Sequence, residues 1–415
     1  MLEQPGFGRR LRQLRLQQGK SQSELTGPGM SAAYLSRLES GARRPTDRVV
    51  AYLAEHLEVP VKSFAEHTEN DLTDLVMTLS SRPDGERDAE IRDLLDNALS
   101  VATEVDATTR WEALALFARQ HAVQGEFREE QKVLDELAVM SRDLKRPALQ
   151  VHVLQRIARC SRSLGNMENT RQAAREALEL SRRHQLHVLT ADLVRIKLLL
   201  ISAEAELGNL AEAARLSAEV LESLPRREGA LAAEAYWTAS TVSTRQGNFA
   251  WAHECIQEAL TALDSHEDLT LWMRLRLAAV SLSLQSVPPL LDEAQELLAE
   301  VEPALQLAGV PRNLQELHLL KAQLAFQQGD MTGASTIVES AEGERHLLTY
   351  RDQIRFRILR ELLAGRSGDP DAARRLRELA TQVQAARMPD LSAEVWRAAA
   401  ESAADPGSPP ARASA

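Results

Sequence analysis

Aromatic residues make up only 4% of this 415-residue chain, and the Val, Ile, Thr and Tyr runs that build strands are nearly absent. This scarcity excludes a β-rich core and leaves Ala, Leu, Arg and Glu to build a helical protein throughout. The two cysteines, Cys160 and Cys255, stand far apart inside helical patterns, so no disulfide framework is available and buried thiols are expected. No stretch approaches the ~20 uncharged apolar residues of a membrane helix, and the N-terminus has no apolar signal core; a cytoplasmic protein without membrane contact is expected. Catalytic signatures are missing too: there is no Gly-rich phosphate loop, no Gly-x-Ser-x-Gly and no His-Glu-x-x-His. His184 with His187, or His253 with Cys255, supplies two ligands, and two ligands do not define a metal site. No enzyme, no metal and no cofactor is expected.

The length is too great for one core and implies two or three domains. Charge divides the chain the same way. Through Phe64 there are ten Lys and Arg against six acids, a head of +4, which leaves −15 on the remainder of a chain whose net charge is −11. A basic head on an acidic body fits a polyanion contact confined to one end.

Within the head, Phe7, Leu11 and Leu14 recur at helical spacing, and Gly19 closes that helix before Ser21 caps the next. A second helix starting at Ser21 should be cut short by Thr26-Gly-Pro-Gly-Met30, because two glycines and a proline cannot continue it. Ser31 then caps a helix with Leu35 and Leu38 inward and Ala32, Ala33, Ser36 and Arg37 outward. Thr46 caps another, with Val49, Val50, Leu53 and Leu57 inward, and Val61 and Phe64 open a small fifth helix.

These segments resemble the helix-turn-helix domain of the Xre and lambda-repressor type. The resemblance is carried by Phe7-Gly-Arg-Arg-Leu-Arg-Gln-Leu-Arg, Ser21-Gln-Ser-Glu-Leu, Tyr34-Leu-Ser-Arg-Leu-Glu-Ser-Gly and Arg43-Arg-Pro-Thr. It implies a double-stranded DNA partner, with Gln22 touching a phosphate or base and the Ser31 helix in the major groove. Ala32, Ala33, Ser36 and Arg37 are the base-reading candidates, Arg37 reaching guanine and the alanine methyls meeting thymine, with Ser36 equally suited to a phosphate and Ser31 a further DNA-binding residue. Arg43 and Arg44 suit the phosphate backbone. Such heads usually bind as homodimers on inverted repeats. The competing reading is a helical bundle that kept the fold and binds protein.

After the head (1–65), an acidic connector (66–110) shows one short helix through Leu72, Leu75, Val76 and Leu79. A break at Ser81-Arg-Pro-Asp-Gly precedes a second helix through Ile91, Leu94, Leu95, Leu99 and Val101. From 111 to about 388 the chain repeats itself. A Gly followed by an acid or Asn separates two amphipathic helices at Gly125, Gly165, Gly208, Gly247, Gly329 and Gly368, and Ser286-Val-Pro-Pro289 supplies the missing turn of a fifth unit. Seven helix-turn-helix units that cannot bury their own apolar faces must stack into a solenoid. A final helix from Asp390 to about Ala403 caps the stack, and 404–415 reads as a disordered tail.

With Tyr236 eleven residues before Gly247, and Ala252 and Ala259 after it, the units resemble tetratricopeptide repeats. The resemblance implies a right-handed helical solenoid whose first helices line a concave wall. Aligned on the turn glycines, that wall holds His152, Gln155, Arg159 and Arg162, then Arg195, then Trp237, Thr241, Thr244 and Arg245, then Arg276, Gln323 and Arg355. Arginines facing one groove attract a carboxylate or a peptide C-terminus.

Head and repeats together resemble bacterial regulators of the RRNPP class. In that class a signalling peptide enters the groove and changes DNA affinity. The peptide-clamping Asn residues of that class have no evident match, since Asn166, Asn209 and Asn248 sit in the inter-helix turns. The resemblance implies a transcriptional regulator with a peptide or other small acidic ligand; the alternative is an adaptor whose repeats bind a protein such as an anti-repressor or sigma factor.

Overall fold

The computed structural model describes residues 4, 6–27, 30–64, 69–81, 89–101, 105–385 and 388–404. Among them every regular element is helical, and the one strand-like pairing is an isolated bridge between Gly27 and Met30. The expected connector break beyond Ser81 and the tail beyond Ala404 lie outside the described residues. Contacts divide the chain into two compact units, Met1–Val133 and Leu134–Ala415.

The first unit begins with α1 (Gly6–Gln17), α2 (Ala32–Glu39) and α3 (Asp47–His56). Phe7, Leu11 and Leu14 of α1, Leu35 and Leu38 of α2, Val50 and Leu53 of α3, and Leu25, Leu57 and Phe64 are buried in one cluster. The Phe7 and Phe64 rings lie 5.5 Å apart. The second helix is reduced further than expected, to a single 3-10 turn at Gln22–Leu25. The chain must reach extended geometry at Thr26 to form the Gly27–Met30 bridge. Val61–Phe64 is likewise one 3-10 turn rather than a fifth α-helix. Ser31 caps α2 by accepting from the Tyr34 N–H (3.2 Å), whereas Thr46 holds the capping position of α3 without a side-chain bond.

Helix α1 crosses α2 at Gly8. A Cβ there would stand 2.2 Å from the Leu38 carbonyl oxygen and 2.8 Å from that of Glu39, so only glycine permits this approach. Gly8→Ala is expected to push α2 away from α1 and cost about 1–3 kcal/mol of head stability, as overpacked cores do. Urea unfolding of the purified protein checks this; an unchanged midpoint would mean that the crossing is looser than it stands here.

Three further helices complete this unit: α4 (Glu69–Ser80), α5 (Ala89–Val101) and α6 (Ala107–Gln124). Leu72 and Val76 of α4, Ala98 of α5 and Ala113 of α6 share a small buried cluster, so the acidic connector packs on the helix that follows it. Leu94, expected inward, is exposed.

The chain continues through α7 (Phe127–Asp143), α8 (Pro147–Ser163), α9 (Met167–Arg183), α10 (Thr190–Glu206), α11 (Leu210–Glu222), α12 (Ala230–Arg245) and α13 (Phe249–Ala262). It ends with α14 (Leu269–Gln285), α15 (Leu291–Ala308), α16 (Pro311–Gln328), α17 (Met331–Ala341), α18 (Tyr350–Arg366), α19 (Ala372–Ala385) and α20 (Pro389–Ala404). Within the second unit the helices pack as successive pairs from α8 with α9 to α18 with α19, and α20 packs on the last pair.

Each turn glycine takes a left-handed φ, between +76° and +92°, which ends the first helix at no steric cost. The next residue starts the second. Asn166, Asn248 and Asp330 accept from the N–H groups of Asn169 (3.1 Å), Trp251 (3.3 Å) and Gly333 (2.9 Å). Two residues thus close one helix and cap another. Ala252 and Ala259, fully buried beside Tyr236, allow α12 and α13 to approach closely.

Candidate ligand groove and nucleic-acid interface

Counting thirteen residues back from successive turn glycines reaches His152, Arg195, Glu234, Glu316 and Arg355. In the second compact unit this repeat position forms a ladder of alternating charge. Arg195 Nε lies 3.2 Å from Glu234 Oε2. Arg274, the corresponding residue of α14, is drawn electrostatically to both Glu234 and Glu316 and covers the Trp237 ring at 4.9 Å. Arg355 ends the ladder, with Nε 3.1 Å from Glu394 and a further guanidinium N–H donating to Gln285 (2.7 Å). Burial first, and then the nearby Asp352, push the Glu316 carboxyl up to about 7, against the opposing pull of Arg312, Arg274 and Arg355.

A second charged layer joins repeats that are distant in sequence. Glu206, at the end of α10, accepts from Arg245 of α12 and from Arg351 of α18, whose Nε is 2.9 Å away. Arg351 also reaches Asp390 of α20 at 2.8 Å. Beside them a Cβ on Gly208 would stand 3.7 Å from Pro389. Burial alone would raise the Glu206 pKa, but Arg245 and Arg351 more than offset it and hold the carboxylate below its ordinary range. The third repeat therefore meets the seventh and its cap through these charged side chains.

In the first unit, Ser31, Ala32, Ala33, Ser36 and Arg37 of α2 are all exposed, while Leu35 and Leu38 are fully buried. The Arg43 guanidinium lies 4.2 Å over the Tyr34 ring, and its backbone N–H donates to the Arg37 carbonyl (3.1 Å). Arg44 is exposed beside it. Arg37 and Arg44 make no ion pair among the described residues, which leaves a small, polar and cationic surface on one side of a short helix. Beneath it, Arg15 and Glu39 form a buried two-pronged pair (2.6 and 2.9 Å). Gln22 Nε2 donates to the same carboxylate (2.7 Å), and Arg15 donates to the Lys20 carbonyl (2.9 Å). α1, the 3-10 turn and α2 are tied together through Glu39.

Residues 7–66 match the helix-turn-helix domain family. No curated protein matches the chain. Solved structures share its fold at low identity. NprR in complex with its cognate peptide NprX is 14% identical, with a TM-score of 0.57 over 81% of this chain and 94% of that one. A Rap protein complexed with competence and sporulation factor is 12% identical, with a TM-score of 0.56 over 96% and 97%. The apo form of the quorum sensor NprR from B. thuringiensis is 13% identical, with a TM-score of 0.50 over 86% and 93%.

Within the helix-turn-helix domain, every base-side candidate named from sequence is exposed on one face of α2. Gln22 is the exception, a half-buried brace whose amide serves Glu39. Glu39 and Arg15 were missed, since a charged pair buried in a small domain leaves no periodic signal. Among the groove candidates, Arg195 and Arg245 are committed to Glu234 and Glu206, and the Thr241 hydroxyl donates to the carbonyl of Trp237 (3.0 Å). His152, Arg159 and Arg162 are exposed, and Gln155, Trp237 and Gln323 are partly covered.

Arg276 is misplaced. It stacks on Trp272 (3.5 Å) and pairs with Glu300 of α15 (2.9 Å), away from the ladder that Arg274 joins. The fifth turn has no glycine to fix the count along α14. No helix among the described residues is long and apolar enough to cross a membrane.

Proposed function

We propose that this protein is a sequence-specific DNA-binding transcriptional regulator whose repeats sense a peptide ligand, and that it works as a cytoplasmic homodimer on an inverted repeat. The observation that carries the reading is the exposed α2 face, with Arg37 cationic, unpaired and mounted on a fully buried Leu35 and Leu38 base. A guanidinium in that position reaches guanine O6 and N7 bidentately, and Ala32 and Ala33 admit thymine methyls. Ser31 and Ser36 lie on the same exposed side, Gln22 braces it from beneath through Glu39, and Arg43 and Arg44 meet phosphates. NprR in complex with its cognate peptide NprX, which shares the fold, supports a peptide in the charged groove. No residue of this reading has a catalytic role.

Enrichment of random duplex DNA by the full-length protein and by Arg37→Ala, at two salt concentrations, tests the head. Wild type should recover an inverted repeat and weaken with salt. Arg37→Ala should bind about 1–3 kcal/mol more weakly and lose preference at one base pair of each half-site. Equal loss on all sequences would make Arg37 a phosphate contact. No enriched sequence would overturn the head as a reader of DNA.

A further inference from the structure

Arg43 lies in the loop after α2, and both its backbone and its side chain are held. Gly41 leaves α2 with a left-handed φ of +76°, which turns the chain back so that the Arg43 N–H donates to the Arg37 carbonyl (3.1 Å). Gln4, ahead of α1, then uses its whole side-chain amide. Its Nε2 donates to the carbonyls of Arg43 (2.6 Å) and Leu38 (3.0 Å), and its Oε1 accepts from the Gly8 N–H (3.0 Å). The Arg43 backbone is thereby tied to the end of α2 and to α1. Its guanidinium lies 4.2 Å over the Tyr34 ring, and Tyr34 is itself packed against the buried core of the head.

We propose that Tyr34 and Gln4 are positioning residues for DNA binding, which set Arg43 for a backbone phosphate before the duplex arrives. This rests on the DNA-binding reading and gives roles to two residues outside the base-reading set. Stacking engages the flat face of a guanidinium and leaves the N–H groups on its edge, which are the donors a phosphate takes. Arg43 is exposed, and no acceptor among the described residues claims those N–H groups. A free arginine in a surface loop loses rotamer and loop freedom when it docks. One already stacked and tied down has lost that freedom on folding, so more of the contact appears as affinity. Tyr34 stands one helical turn before Arg37 and Leu38 on α2. The phosphate contact is therefore fixed in register with the base-reading side chains of the same helix.

The test follows binding of the full-length protein to a fluorescent random-sequence duplex pool by anisotropy over a salt series, with enrichment repeated for each variant. Arg43→Ala should weaken binding on every sequence and lower the slope of log K against log salt by about 1 per head. Tyr34→Leu should weaken binding about two- to fivefold, the worth of a cation–π contact at an exposed site, with part of the same fall in slope and no change in base preference. Gln4→Ala should act in the same direction. Tyr34→Phe keeps the ring and should recover wild-type binding. On the Arg43→Ala background neither Tyr34→Leu nor Gln4→Ala should weaken binding further, whereas damage to the fold would persist there.

Tyr34→Leu or Gln4→Ala binding like wild type would overturn the proposal, as would a loss of equal size with and without the Arg43 side chain. Tyr34→Phe as weak as Tyr34→Leu would make the hydroxyl the contact and overturn positioning through the ring. Each of these outcomes leaves the DNA-binding reading intact. A wild type that binds no duplex, or binds without salt dependence, would remove that reading and this proposal together.

Discussion

Glu39→Ala should unfold the helix-turn-helix domain and leave the repeat helices folded. Glu39 is 5% and Arg15 9% exposed at the side chain, and two hydrogen bonds join them. Removing the carboxylate strands the guanidinium under the surface and takes the acceptor from Gln22 as well. Breaking such a pair costs about 3–5 kcal/mol in a protein interior, and the thin cover of a small domain puts Glu39 near the lower end. At roughly 0.05–0.15 kcal/mol per residue, a domain spanning residues 7–66 holds about 3–9 kcal/mol, so this one loss removes a third of it or more.

DNA binding should therefore disappear on every sequence, unlike the selective loss expected for Arg37→Ala. Circular dichroism should lose only the share of helix due to α1–α3. The double variant Arg15→Met with Glu39→Leu separates charge burial from shape, because replacing both partners by apolar side chains is often neutral or stabilising. If Glu39→Ala binds its operator like wild type, the pair does not support α2.

Much of this architecture was legible because its determinants are local. A left-handed φ needs glycine, and the capping residue must follow it, so Gly-Asn and Gly-Asp pairs mark the turns of the repeats without reference to anything distant. The outward face of α2 was legible for the same reason, since Leu35 and Leu38 set its phase. The groove chemistry was only half legible. Position within a repeat gives the arginines expected on the wall, but whether each is paired depends on the return of the third repeat to the seventh, which no local pattern records. Arg245 and Arg162 are both arginines near the end of a first helix; Glu206 claims one and leaves the other. Arg274 escaped notice because the fifth turn uses Ser286-Val-Pro-Pro289 in place of a glycine, which leaves nothing to fix the count along α14.

Glu206→Ala is expected to open that return contact. In a solenoid each repeat normally touches its neighbours only, and stability is close to a sum of those interfaces. Glu206 departs from this by holding Arg245 of the fourth repeat and Arg351 of the seventh from its own place in the third. Its loss leaves Arg351 with Asp390 and leaves Arg245 with no carboxylate. The two cations then face each other across a largely buried contact, at a cost of about 3–5 kcal/mol for an uncompensated buried charge.

The acid dependence follows from the same charges. Glu206 and Asp390 both titrate below their ordinary ranges; burial works against this in each, and arginine contacts prevail. Their contribution is present above the unfolded-state values and is lost as the pH falls through the lower folded-state values. Wild type should thus loosen here below about pH 4, and Glu206→Ala should be loose already at pH 7. Hydrogen exchange at neutral pH reads the effect at both ends: amides at the end of α10 and at the start of α18 should exchange faster together, while those of α15 and α17 change little. Acceleration confined to α10 and α12 would mean that the third and seventh repeats do not meet in solution.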